Sequence, residues 1–451
     1  MKKFYNRENE LHLLKQTSSK KTAKLSVFVG RRRVGKTRLI QEAFSDISQP
    51  YLYFFISRKS ENALVDEFAE LIQNQLCHFS VKFFSPRSLK DIIEFLLDYS
   101  VSNPITVVID EFQDIARANN SFYSDLQNLW DQYKVKSKMH LVACGSIYNL
   151  MNKLFKEQNE PLLNRDDHYY HLMPLAPSYI KSIMMDEKSF SADNYLLWWC
   201  LSGGIPKYIE WLAEAKIDPI NLLIKANSPL LKEGNHRLVE DFGDEHRAYF
   251  DILGAIASGY NTAPEIANYL SYQINKALPV LVQSYEIVRR VTSIDANANT
   301  KNVRYEIADP FLRFWFRFIY KNRSAAEIGN FQYIRDIIER DYKTYSGIEL
   351  EHLFKEILKE SMQFNRLGSF WDRKGHNEID IVAINDTEKR AVFIESKRQQ
   401  KNYDEKALSD KVIYAVQKLK IQHYSIEIRG VSLDNLDTFL LDFPPSPKDS
   451  L

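Results

Sequence analysis

Cysteine is scarce: Cys77, Cys144 and Cys200 are the whole complement, far apart and odd in number. That excludes a disulfide framework and fits a reducing cytosol, and nothing falls at zinc-ligand spacing. Charge of one sign is lacking too, with 60 Lys and Arg against 59 Asp and Glu. No global field draws the chain to nucleic acid or membrane, so any basic surface is local. No apolar run approaches the ~18 residues of a membrane span, so a membrane is not an expected partner. The opening MKKFYNRENEL turns polar at once, unlike a secretory leader. Only 14 glycines and no low-complexity tract argue against long flexible linkers. What is present is ordinary globular material, 45% hydrophobic and 26% charged, expected in the cytoplasm. Its 451 residues suffice for about three domains at ~150 residues each.

The most informative stretch is LSVFVGRRRVGKT at 25–37. Val27, Phe28 and Val29 predict a buried strand that breaks at Gly30 into a G-x-x-x-x-G-K-T phosphate-binding loop. Gly30 and Gly35 let the backbone curl so that successive N–H groups face phosphate oxygens. Lys36 would reach the β and γ phosphates and Thr37 would offer a hydroxyl to Mg²⁺. The helix that follows aims its positive end at the anion. The nucleotide-binding set is thus Gly30, Arg31, Arg32, Arg33, Val34, Gly35, Lys36, Thr37 and Arg38.

Ahead of this loop a polar turn opens an amphipathic helix with Leu11, Leu13 and Leu14, either a plain surface helix or a cover for the adenine side. Beyond the loop, YLYFFI at 51–56 predicts a strand and 60–100 is mainly helical by apolar spacing. Ile105–Ile109 then predicts a strand buried on both faces, ending in Asp110 and Glu111. Asp110 would accept from Mg²⁺-bound water or Thr37, and Glu111 would polarise the attacking water as general base. The run 139–146 predicts a further strand, inserted between the two motif strands, whose tip residue Ser146 would sense the γ phosphate. Residues 168–172 supply a fifth strand. Arg165 just before it would touch a phosphate in cis or across a subunit contact, or serve as a surface arginine.

Residues 176–235 predict a helical lid broken at Gly203-Gly204-Ile205-Pro206, a turn that no β-branched residue could occupy. Between 245 and 320 the order changes to a capped helix opening at Thr262-Ala263-Pro264-Glu265, a second helix at 275–290 carrying Lys276, Arg289 and Arg290, and a two-stranded wing at 292–307 around Asn297-Ala298-Asn299. That is the order of a winged helix-turn-helix. The middle of its second helix is poor in base-reading residues, which favours packing or protein contact, with DNA as the alternative. The aromatic stripe 309–318 is expected to be core.

A linking helix over 325–341 and a helix over 346–360 carrying Glu351 lead to two strands, 378–384 and 390–397. Glu395 and Lys397 share a strand face with core residues, where charge is costly without a task. Asp380 and Glu395, with Glu351 as a further acid, would hold Mg²⁺, and Lys397 would orient or activate a water against a phosphodiester. By spacing alone the same charges also fit a hairpin with ordinary charged ends.

Together these motifs resemble a family of prokaryotic AAA-type, STAND-related ATPases. The resemblance runs through FYNRENEL, VFVGRRRVGKT, VVIDEFQ, ACGS, LLNR, SGGIPKY, ADPFLRFW, GIELE, EIDIVA and IESK. The family writes a glycine-arginine pair before the fifth strand where this chain has Asn164-Arg165. The resemblance implies an α/β fold class: a P-loop NTPase parallel sheet with a helical lid, then a winged helix domain and a C-terminal α/β restriction-endonuclease-like, PD-(D/E)XK domain. The corresponding boundaries are 1–175, 176–235, 236–322, a linking helix 323–341, and 342–451. It implies ATP and Mg²⁺ as cofactors, with nucleotide work at Lys36, Thr37, Asp110 and Glu111 and a nuclease-like triad at Asp380, Glu395 and Lys397. DNA, a protein partner and a second copy of the chain are the expected macromolecular partners. The expected activity is ATP hydrolysis controlling a DNA-directed domain. The alternative is a nucleotide-driven switch whose last domain binds without cutting.

Overall fold

The computed structural model describes residues 3–45, 50–76, 84–146, 148–215, 218–242, 246–297, 300–372 and 375–446. Cys77, Ala298 and Asn299 lie outside them. Among the described residues, 6–173 form one compact unit and 3–5 with 174–446 form another.

The first unit is built on five parallel strands, β1 (Lys24–Val29), β2 (Tyr51–Phe55), β3 (Ile105–Asp110), β4 (Met139–Gly145) and β5 (His168–His171). Their order is β2-β3-β4-β1-β5, so β4 lies between the two motif strands as expected. β3 and β4 are buried along their whole length, the pattern of strands covered on both faces. The expected helical stretch 60–100 forms Glu61–Gln75 and Leu89–Ser102. The second of these opens on a Ser88–Asp91 capping box and buries Ile92, Ile93, Leu96 and Leu97. Because every strand runs the same way, the C-terminal ends of β1, β3 and β4 open on one edge of the sheet, where ligands of such folds bind.

The second unit opens with the helices Pro177–Asp186, Ala192–Ser202 and Pro206–Glu214. The break between the last two holds Gly203 and Gly204 at φ 53° and 79°. There the Gly204 carbonyl accepts from Leu175 N at 2.8 Å. A Cβ on Gly204 would stand 2.2 Å from the Leu175 carbonyl oxygen. Gly204→Ala is therefore expected to lower stability by on the order of 1–3 kcal/mol, read as a lower urea midpoint at unchanged slope.

Helices His246–Ala257, Ala263–Leu270 and Ala277–Gln283 follow, then an antiparallel hairpin of β6 (Val288–Thr292) and β7 (Val303–Ile307). The Thr262–Glu265 capping box is formed. The helix expected over 275–290 stops at Gln283, and Arg289 and Arg290 stand on β6 instead. Glu286 adopts φ 50°, which breaks the helix, and the β-branched Val288, Val291 and Thr292 then favour extended chain. In the aromatic stripe Phe311, Phe314, Phe316 and Phe318 are buried core, as expected.

One helix, Phe331–Ser361, runs 31 residues without interruption, so the linking helix and the helix carrying Glu351 are a single element. Gly347 alone costs it only ~1 kcal/mol, and buried Ile334, Ile338, Leu350, Leu353 and Phe354 repay that by packing. The chain ends in a mixed sheet of order β11-β10-β9-β8. Its strands are β8 (Arg366–Trp371), β9 (Glu378–Asn385), β10 (Arg390–Ser396) and β11 (Ser425–Val431). β8, β9 and β10 are antiparallel, while β11 lies parallel to β10 across the helix Glu405–Leu419. The hairpin docks on the β8 edge. Arg304 pairs with Glu378 at 2.5 and 3.3 Å and lies 4.4 Å over the Trp371 ring, and Ile294 N donates to Ser369 O at 2.8 Å.

Candidate nucleotide site and a second acidic cluster

β1 delivers Val29 to the sheet edge and the chain turns at once. A Cβ at Gly30 would meet the Leu172 carbonyl oxygen at 2.8 Å, so the loop can pass β5 here only as glycine. Gly35 holds φ 99° and hands over to the helix Lys36–Phe44. Lys36 is buried, its ammonium donating to the Gly30 carbonyl at 2.7 Å. The lysine is thus bent back over its own loop, toward the place a phosphate would take. Val34 is buried, while Arg32, Thr37 and Arg38 are exposed, Arg38 lying 3.9 Å from Glu42.

Opposite the loop, buried Asp110 ends β3. Its Oδ2 accepts from Thr37 Oγ1 at 3.3 Å and from the Tyr53 hydroxyl, and its Oδ1 accepts from Glu111 N at 3.0 Å. Glu111 takes φ 54°, which turns its side chain out of the strand. Glu111 Oε2 accepts from Ser146 Oγ at 2.7 Å and from Gln113 Nε2 at 2.8 Å. The structure therefore brings Lys36, Thr37, Asp110, Glu111 and Ser146 to one edge. Thr37 and Asp110 offer hard oxygen donors side by side, the chemistry Mg²⁺ prefers, so the residues present fit that ion. Burial, then the charge of Asp110, push the Tyr53 hydroxyl well above the ordinary tyrosine range, and it remains a donor. Tyr53 lies outside the motifs, and Gln113 lies in VVIDEFQ without a role assigned from sequence.

Arg165 is not among them. Its guanidinium holds Asp131 at 2.8 Å and donates to the Pro161 carbonyl at 2.9 Å. Two residues on, Asp167 N donates to Leu25 O at the start of β1. Arg165 therefore sits at the N-terminal edge of the sheet, about 16 Å of strand away from the loop, with its side chain held by Asp131.

In the second unit Glu351 on the long helix, Asp380 on β9, Glu395 on β10 and Lys397 come to one end of the mixed sheet. Lys397 Nζ lies 2.7 Å from Glu395 Oε1, and Lys411 stands 3.9 Å from Oε2. Asp380 Oδ2 accepts from Ser396 N at 2.8 Å. Lys355 donates to Glu351 and, at 2.7 Å, to Ser369 Oγ. Burial, with Asp380 adding and Lys355 opposing, pushes Glu351 up to about 7. Asp380 is raised chiefly by burial. Burial would lower Lys397, but its hydrogen bond to Glu395 and the nearby carboxylates overcome this and hold it above the ordinary lysine value. Among the described residues no group of three or more His, Cys, Asp or Glu side chains is placed to hold a metal ion.

A parallel sheet with a strand inserted between its motif strands, a loop curled over a lysine, and an aspartate–glutamate pair facing it are the arrangement typical of a P-loop ATPase fold. Residues 4–212 match the family model described as an ATPase domain predominantly from Archaea, and residues 315–408 match archaeal and bacterial proteins of unknown function. An uncharacterized protein of Methanocaldococcus jannaschii is 28% identical over 403 residues, covering 87% of each chain. Among solved structures, a Walker-type ATPase of Pyrococcus abyssi superposes with TM-score 0.50 at 19% identity, over 70% of this chain and 96% of that one. The ORC2 protein of Aeropyrum pernix gives TM-score 0.47 at 13% identity, over 72% and 96%. At 19% identity the likeness to the Pyrococcus abyssi structure is one of fold. No helix among the described residues is long and apolar enough to cross a membrane.

Proposed function

We propose that the chain is a Mg²⁺-dependent, STAND-type ATPase whose nucleotide state controls a C-terminal, PD-(D/E)XK nuclease-like domain directed at DNA. One observation carries the nucleotide half: Thr37, Asp110, Glu111 and Ser146 form a hydrogen-bonded chain along the edge where Lys36 folds over its loop. Loop N–H groups and Lys36 bind the triphosphate, the lysine exchanging the Gly30 carbonyl for phosphate oxygen. Glu111 takes a proton from the water that attacks the γ phosphorus, the bond to the β-phosphate oxygen breaks, and ADP and phosphate leave. Ser146 and Gln113 hold the Glu111 carboxylate in place. Mg²⁺ on Thr37, with Asp110 behind it, would supply charge neutralisation of the phosphates.

The gathering of Glu351, Asp380, Glu395 and Lys397 at one sheet end supports the nuclease-like reading. A switch whose last domain binds DNA or a protein partner without cutting is favoured by one observation: Lys355, Lys397 and Lys411 already accompany the three carboxylates. The segment 246–307 reads as a winged helix whose hairpin serves packing, since Arg304 is engaged by Glu378 and Trp371. Lys397→Ala separates the two readings. DNA cleavage with Mg²⁺ or Mn²⁺ that disappears in the variant while DNA binding remains supports the nuclease. No cleavage by the natural chain with either metal supports the switch. Arg165 would act across a subunit contact only by giving up Asp131, so assembly with a non-hydrolysable ATP analogue that is lost in Arg165→Ala would support that role.

A further inference from the structure

Tyr53 belongs to none of the motifs, yet its hydroxyl reaches the oxygen of Asp110 that faces Thr37. The register explains how. Tyr53 pairs with Val108 on the neighbouring parallel strand, and Val108 and Asp110 lie on the same face because side chains alternate. Asp110 is therefore one pleat repeat further on, about 6.6 Å. A phenol is the uncharged side chain long enough to cover that span and end in a donor. Three donors then define the carboxylate. Glu111 N takes Oδ1, while Thr37 and Tyr53 both take Oδ2. With Glu111 N and Thr37 alone, the carboxylate could rock about its Cβ–Cγ bond. Tyr53 closes that freedom at the same oxygen that Thr37 uses, its hydroxyl also within hydrogen-bond reach of the Thr37 side chain.

We propose that Tyr53 is a positioning residue for the metal, acting through Asp110: it fixes the carboxylate with Oδ2 toward the Thr37 hydroxyl and so sets the Mg²⁺ concentration at which nucleotide is held tightly. This rests on the reading of the loop as a Mg²⁺-nucleotide site. Tyr53→Phe keeps the ring in the sheet and removes only the donor. Calorimetric ADP affinity, measured in EDTA and across a Mg²⁺ titration, is the readout. The expected result is a rise of roughly 5–10-fold in the half-saturating Mg²⁺ concentration, as for partial loss of a hydrogen bond to a charged group, with affinity in EDTA unchanged within about 2-fold. The shift should vanish in an Asp110→Asn background, where the two substitutions are coupled. An equal loss in both arms marks a merely structural tyrosine and overturns the proposal. So does an unchanged Mg²⁺ response, or a shift that persists beside Asp110→Asn. If the natural chain itself shows no Mg²⁺-dependent nucleotide affinity, the reading of the loop fails first, and the role of Tyr53 falls with it.

Discussion

Glu111→Gln is expected to bind MgATP as the natural chain does but to release phosphate about 100- to 10,000-fold more slowly, the range for loss of a positioned general base. The amide keeps the shape of the side chain, and its carbonyl oxygen can still accept from Ser146 and Gln113. Local packing and nucleotide affinity should therefore survive. It cannot take the proton of the attacking water. Single-turnover phosphate release beside equilibrium binding of radiolabelled ATP separates the two effects: retained ATP with slow release is the expected pattern. An unchanged rate would remove Glu111 as the base and leave Ser146 and Gln113 without a catalytic group to hold.

The second large effect lies outside either candidate site. Arg313 and Glu349 form a buried, bidentate pair, Nε and Nη2 each 2.6 Å from a carboxylate oxygen, and Arg313 also donates to the Ile307 carbonyl at 2.7 Å. Burial would lower the arginine, but the charge and hydrogen bonds of Glu349 overcome it and hold the guanidinium firmly protonated. Glu349→Ala leaves that guanidinium in the core with its chief partner gone. The expected cost is about 3–5 kcal/mol, read from urea unfolding of the full chain. Arg313→Met combined with Glu349→Leu should recover most of it, because an apolar pair of similar volume carries no desolvation penalty. Equal losses in the single and double variants would show that shape, not charge, matters at this point.

What could be read from the residues alone follows from how local each feature is. The phosphate loop is legible because its chemistry needs Gly30, Gly35, Lys36 and Thr37 on one short bend. Asp110 and Glu111 are legible because a run of apolar and β-branched residues ends on them. Tyr53 is not legible, since its reach depends on the register between β2 and β3, which is set by tertiary pairing. Arg165 stands close in sequence to β5 and invites a phosphate role, but the direction of that strand puts it at the far edge of the sheet. The residues between 341 and 346 read as a gap between two helices, yet packing of Ile338 and Leu350 carries one helix through, and Gly347 adds only a modest propensity cost. Arg313 hides inside an aromatic stripe, and nothing local points to a partner 36 residues away.

The helix Phe331–Ser361 behaves as a stiff shaft of about 46 Å at 1.5 Å per residue. Glu349 clamps it to the aromatic segment, and Glu351, two residues on, belongs to the acidic cluster. Two successive residues turn by about 200° on such a shaft, so clamp and cluster lie on nearly opposite sides of it. A twist imposed at the clamp therefore swings Glu351 the other way, and the spacing of the carboxylates is geared to how the shaft is seated.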